Sequence, residues 1–457
     1  MSILNNEYVY YQKGNKYLFI YPDIPYWLVV NENAKRLLEL FKKKDDIESV
    51  VEEYVIRYNG DADRTRAAVQ KIYDRLLEHK IIKANYGNSV EWKGIIDTAG
   101  INITNNCNLR CTYCYADAGK EIINYQDEID FSGIKKYLDG VKNYASENCY
   151  IQFTGGEPLL RKELLFKSIK YAREIELPKI TINTNGILID DEVARFFKEY
   201  SIDNITVSLD GIDKEKHDKF RGKGSYDYAI RAINILKKYN LNVTASMTVH
   251  KENFDYLEGF IEFCKINGIQ CFTSPLFPIG RCKEDDKLCH VPFNDLYNIL
   301  SRWYSEGRFN QKDLAGTLFH TMILPMRDLT RRNYCGAGMS SVFMDANGDI
   351  YPCTNTIGAS YFKCGNIYDQ MFDQIWFNSE TLKKVRNDIN VDNIIPCKKC
   401  ELRYICAGFC RGVTYKITGK INSPFPWCKE IKQSIISAMW DIGEHPDVYK
   451  GVKDKFA

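Results

Sequence analysis

The sequence predicts an α/β fold: repeated βα units around a parallel sheet, with a small α+β module before it and a cysteine-rich region after it. Three observations carry this. Between residues 101 and 275, strand-like runs of four to seven residues alternate with helical stretches of 12 or more. The first ninety-odd residues place three aromatic and β-branched runs ahead of three amphipathic helices. From Cys335 onward, cysteines recur at close, regular spacings. A length of 457 residues accommodates three modules.

At the N-terminus the strand runs are Tyr8–Tyr11, Tyr17–Tyr21 and Tyr26–Val30, broken by Lys13-Gly14-Asn15 and Pro22-Asp23. Asn31 precedes a helix in which Ala34, Leu37, Leu38 and Phe41 share a face. Asp45-Asp46-Ile47-Glu48 opens a second helix, and a third runs from about Asp63 with Val69, Ile72, Leu76 and Leu77 inward. A linker falls near Tyr86–Ser89.

In the central region, Ile101–Thr104 reads as a strand end, and Tyr150–Thr154 as a strand leading into Gly155-Gly156-Glu157-Pro158. Ile180–Asn183, Ile205–Leu209, Val243–Val249 and Gln270–Ser274 continue the series. Residues from about Leu276 to Asn333 form a helical bridge, with Pro275, Pro278 and Pro292 as breakers.

The chain holds 16 cysteines, and Met1–Glu7 lacks the basic and apolar regions of a signal peptide. No stretch approaches the length of a membrane span. A cytoplasmic protein loaded with metal is therefore expected, rather than one stapled by disulfides. Cys107, Cys111 and Cys114 stand at C-x3-C-x2-C, three thiolates from one loop. A cubane cluster held by three cysteines keeps one iron open to a small molecule. Zinc or a disulfide pair are the other readings, although zinc wants a fourth Cys or His nearby.

This loop resembles the signature of the radical S-adenosylmethionine (SAM) enzymes. The resemblance implies a partial (β/α)6 barrel, a 4Fe–4S cluster whose open iron binds SAM, and a 5′-deoxyadenosyl radical that abstracts a substrate hydrogen. Carried over by motif, Tyr113, Gly155, Gly156, Glu157 and Asn185 would line the cofactor, with Ser208 and Arg221 holding its ribose and carboxylate. A capping serine and a surface arginine are the plain alternatives for the last two.

Further along, Cys335-x12-Gly348-x4-Cys353, Cys397-x2-Cys400-x5-Cys406-x3-Cys410 and Cys428 resemble the SPASM domain. That resemblance implies two auxiliary 4Fe–4S clusters, making three in all. Cys397, Cys400, Cys406 and Cys428 would ligate one, and Cys335, Cys353 and Cys410 the other. The second set is one thiolate short, which leaves either an open iron or an eighth ligand such as Cys364. A pair of zinc sites is the competing reading. Cys149, Cys264, Cys271, Cys282 and Cys289 belong to no motif and suit buried apolar positions. His217, His250, His290 and His320 lack partners at metal spacing.

The N-terminal strand–helix pattern resembles the RiPP recognition element, a winged-helix-like module that binds the leader of a ribosomally made precursor peptide as an added strand. A DNA-binding winged helix would show a basic recognition face. Here Arg64, Arg66, Lys71 and Arg75 alternate with Asp61, Asp63, Asp74 and Glu78, and the net charge is only +2.

Together these divide the chain into a recognition module (1–90), a barrel (91–280), a bridge (281–334) and a SPASM domain (335–457). The implied activity is peptide maturation of the sactipeptide or ranthipeptide type, a thioether from a Cys sulfur to a carbon. Flavodoxin or ferredoxin would supply electrons, and neither nucleic acid nor membrane is an expected partner. Carbon–carbon or carbon–oxygen cross-linking, anaerobic sulfatase maturation and a DNA-binding redox sensor are the alternatives.

Overall fold

The computed structural model describes residues 3–4, 6–78, 81–82, 92–120, 122–284, 288–289, 291–328 and 331–450; the linker read at Tyr86–Ser89, and His290, lie outside them. Three strands, β1 (Val9–Lys13), β2 (Lys16–Tyr21) and β3 (Tyr26–Asn31), form an antiparallel sheet in the order β1-β2-β3. Helices α1 (Glu32–Phe41), α2 (Ile47–Tyr58) and α3 (Ala62–Glu78) follow. Their starts lie where the capping residues put them. Asn31 accepts from the Ala34 N–H and Asp46 from the Ser49 N–H, each satisfying an orphan donor of the first turn at about 1 kcal/mol.

The central elements are β4 (Ile96–Asn102), α4 (Phe131–Lys142), β5 (Ala145–Thr154), α5 (Lys162–Glu174), β6 (Lys179–Thr184) and α6 (Asp191–Glu199). They continue with β7 (Asn204–Ser208), α7 (Lys214–Arg221), α8 (Ser225–Lys238), β8 (Val243–Val249), α9 (Leu257–Ile266) and β9 (Gln270–Pro275). Strands β4 to β9 pair in parallel and in sequence order. Ile101, Ile151, Phe153, Ile182, Ile205, Val207 and Met247 are fully buried. A parallel sheet covered on its faces needs such strands.

The bridge forms α10 (Phe293–Ser305), α11 (Gln311–Leu314) and α12 (Leu318–Asp328). Beyond it come β10 (Ser341–Met344), β11 (Asp349–Tyr351), β12 (Gly365–Asn366), α13 (Glu380–Asp388), α14 (Ile395–Lys398), α15 (Arg403–Cys406), α16 (Arg411–Thr418) and α17 (Cys428–Glu444).

The cysteine-rich region does not stand apart from the central sheet. β10 pairs in parallel with β4, and β11 and β12 extend the same nine-stranded sheet beyond it. The Phe343 ring fills the space where a Cβ on Gly100 would sit, 2.0 Å from that position. A glycine in β4 is therefore what lets the two regions share one sheet.

The N-terminal module is docked as well. Successive strand residues face opposite sides, so Tyr17, Phe19 and Tyr21 of β2 enter the module's own core. Leu18 and Ile20 instead join the core of the rest of the chain. Burying each of these two aliphatic side chains contributes about 2 kcal/mol. Helix α17 approaches β3 so closely that a Cβ on Gly443 would lie 2.3 Å from Val29 Cγ2. No described helix is long and apolar enough to cross a membrane.

Candidate functional site

The loop holding Cys107, Cys111 and Cys114 leaves the C-terminal end of β4. Its entry is fixed by Glu128, which is buried and accepts from Thr104 Oγ1 (2.6 Å) and the Asn105 N–H (2.7 Å). Asn106 exchanges two hydrogen bonds with the backbone of Ile123. The three thiols are half-buried. Burial pushes Cys107 up to about 11, with Glu157, Cys111 and Cys114 close enough to add to the effect. Burial likewise raises Cys111, while Arg221 acts against it. A bound cation deprotonates such thiols outright.

The other motif residues converge on this loop. Gly155 and Gly156 are needed for a close backbone approach, but the first surface they approach is the chain itself. A Cβ on Gly155 would lie 2.3 Å from Thr104 O, and one on Gly156 2.1 Å from Asn106 O. Glu157 is fully buried and accepts from the Leu159 N–H (3.1 Å), Thr184 Oγ1 (2.8 Å) and the Asn185 N–H (2.8 Å). Burial raises its carboxyl to about 7 against these three donors. In this structure Glu157 ties the end of β5 to the end of β6.

Asn185 reaches back to the loop, donating to Asn108 Oδ1 (2.7 Å) and, at 3.9 Å, to Cys107 Sγ. Ser208 ends β7 half-buried. Arg221 is no surface arginine: its side chain is 11% exposed and forks onto Asp210. Tyr113 is buried beside Phe220 and His250, and its hydroxyl has no partner among the described residues. A buried hydroxyl without a partner, on a ring whose centroid lies 5.7 Å from the Arg221 guanidinium, fits a polar cofactor seated there. Asp210, His217, Glu128 and Arg281 all act at this site without having carried a motif. The one available signal was Asp210, directly beyond the apolar end of β7.

The later cysteines fall into two neighbourhoods. Cys397, Cys400, Cys406 and Cys428 together line a cavity of about 300 Å³. Burial raises Cys406 to about 12, with the other three adjacent. Cys335, Cys353 and Cys410 form the second neighbourhood, in which burial raises Cys353 to about 12. Cys364 lies near Cys353, but its thiol donates to Phe362 O at 3.1 Å. Among the described residues no group of three or more Cys, His, Asp or Glu side chains is drawn together around a single metal-ion position.

Between the first loop and the second neighbourhood lies a cavity of about 980 Å³. Tyr115 and Asp117 form one wall, Thr354 and Lys416 the other, and Tyr115 and Thr354 hydrogen-bond at 3.2 Å. The N-terminal module touches the four-cysteine neighbourhood directly. Tyr11 of β1 donates to Glu401, which also pairs with Lys432 (2.7 Å), and Arg403 pairs with Asp23 (2.5 Å).

Comparison with known proteins agrees with this layout. Residues 101–264 match the Radical SAM superfamily, and residues 335–401 match an iron–sulfur cluster-binding domain, SPASM. The chain is a radical SAM enzyme, of oxidoreductase type, carrying a SPASM domain. It is 27% identical over 344 residues to an AdoMet-dependent heme synthase of Oleidesulfovibrio alaskensis, across 71% of this chain and 85% of the relative. It is 27% identical over 332 residues to a cysteine-type anaerobic sulfatase-maturating enzyme of Clostridium novyi, across 67% and 86%. The fold is similar to that of Streptococcus suis SuiB bound to precursor peptide SuiA, with TM-score 0.58 and 16% identity. That likeness covers 94% of this chain and all of that one.

Proposed function

We propose that this enzyme modifies a ribosomally synthesised precursor peptide, forming a thioether between a core-peptide Cys sulfur and the carbon of another residue. The observation that carries the reading is the docked N-terminal module. Its edge strands β1 and β3 pair with no further strand among the described residues and can accept a leader as an added strand, and it rests against the catalytic body through Leu18, Ile20 and Tyr11. The boundaries are those read from the sequence: recognition module 1–90, barrel 91–280, bridge 281–334 and SPASM 335–457.

In this reading Cys107, Cys111 and Cys114 hold the SAM-binding cluster, with Tyr113, Gly155, Gly156, Glu157, Asn185, Ser208 and Arg221 around SAM. Cys397, Cys400, Cys406 and Cys428 hold one auxiliary cluster, and Cys335, Cys353 and Cys410 hold another. When bound, cluster and SAM supply the carbon-centred radical that abstracts hydrogen. The chain's own residues orient and enclose. Asp210 fixes the Arg221 guanidinium, Asn185 bridges the thiol loop to β6, and the 980 Å³ cavity admits a peptide segment between the loop and Thr354. Electrons come from a flavodoxin or ferredoxin.

Deleting the module would remove Leu18 and Ile20 from the main core and uncover the surface of α17 that packs against Val29, so the full chain is needed for the test. The peptide encoded beside the gene is supplied with and without its leader. Turnover that requires the leader in cis or in trans supports the reading. Equal turnover without it favours a sulfatase-maturating or heme-type activity on the same scaffold.

A further inference from the structure

We propose that Cys282 and Cys289 are a thiol–disulfide couple that braces the cluster loop from behind. Both lie outside the three cysteine groups and outside the two matched domain segments. Each is 1% exposed, and their sulfurs stand 3.1 Å apart. That is nearer than the roughly 3.5–4.0 Å of ordinary non-bonded contact. Other unassigned buried thiols are turned elsewhere: Cys271 toward Asp313 O (3.2 Å) and Cys364 toward Phe362 O (3.1 Å).

The pair shares a small buried cluster with Tyr113, Phe220, Leu276 and Leu288. Immediately before it, Arg281 brackets the cluster loop. Its guanidinium donates to Cys111 O (2.6 Å), Ala118 O (2.6 Å) and Asp117 Oδ1 (2.9 Å), and its N–H to Cys114 O (2.9 Å). Gly280 is pressed so close that a Cβ would lie 2.3 Å from Cys114 O. A bond between residues 282 and 289 closes the chain just behind this bracket and restricts its opening.

The oxidant is a low-molecular-weight disulfide. One protein thiolate attacks a sulfur of cystine and releases one cysteine thiol; the second protein thiolate then displaces the other. Two protein thiols become one disulfide, cystine becomes two cysteine thiols, and the two protons pass to the released thiolates. The inference holds whatever the substrate is.

The test treats the anaerobic, cluster-loaded enzyme with cystine, then alkylates it in denaturant and maps peptides by mass spectrometry. Cys282 and Cys289 should lose alkylation together while Cys264 and Cys271 keep theirs. The Cys289→Ser variant should instead carry a cysteinyl adduct on Cys282. Iron release to a chelator should be severalfold slower in the oxidised enzyme than in the reduced one. Alkylation of Cys282 and Cys289 to the same extent as Cys264 and Cys271 overturns the couple. A disulfide that forms without slowing iron release overturns the bracing role.

Discussion

Arg221 and Asp210 meet through two hydrogen bonds, Nε to Oδ2 at 2.5 Å and Nη2 to Oδ1 at 3.2 Å, and the pair is almost wholly buried beside Cys111. Asp210 Oδ1 also accepts from the Thr248 N–H, and the Asp210 N–H donates to His217 Nδ1. Strands β7 and β8 and helix α7 are thereby locked around one guanidinium. Removing one member of a buried pair strands the other's charge, at about 3–5 kcal/mol. Asp210→Asn should lower the Tm and weaken SAM retention in equilibrium dialysis. Arg221→Lys should do the same, because an ammonium cannot reproduce the fork.

Gly156→Ala should be among the most damaging small substitutions in the chain. Its Cβ would lie 2.1 Å from Asn106 O, a backbone atom that cannot swing away. A loss of about 4 kcal/mol or more is expected, with the iron of the Cys107 loop missing by colorimetric assay and the visible absorbance reduced in proportion.

The cysteine neighbourhoods predict an iron ledger. If the three proposed 4Fe–4S clusters are loaded, the reconstituted chain should bind about 12 iron atoms, and Cys406→Ala should leave about eight. Cys364→Ser should leave the count unchanged, since that thiol is committed to Phe362 O. Loss of iron on Cys364→Ser would instead make it the eighth ligand.

His217 gives a pH dependence whose sign follows from its environment. Burial, then the Arg221 charge, lowers its imidazole to about 4 from the usual 6.5. Between those values the unfolded chain binds the proton and the folded one does not, so this contribution to stability is lost as pH falls from about 6.5 toward 4. His217→Asn should therefore lose less Tm than the wild type between neutral and mildly acid pH.

What was legible in the sequence was local. β8 fell at Val243–Val249 as read, and β2 matched but for one residue, because unbroken apolar runs bounded by turn residues mark buried strands. Cysteine spacings within one loop were legible because the chain itself holds those ligands together. Pairings across long separations were not. Nothing near Ser341 announces that β10 will lie parallel to β4, nor does Gly443 reveal that it meets Val29. The Gly155-Gly156 pair was assigned to the cofactor by its motif, and nothing in that motif announced that a Cβ on either would also meet the backbone of Thr104 or Asn106. Arg221 could not be told from a surface arginine until Asp210 was seen beneath it.

The most direct measurement is mass spectrometry of small peptides encoded near the gene, each co-expressed anaerobically with the full chain. Loss of two hydrogens per event, with one cysteine no longer alkylatable, is the predicted result. An unchanged mass in every peptide, or the same loss with all cysteines still alkylatable, would contradict thioether formation.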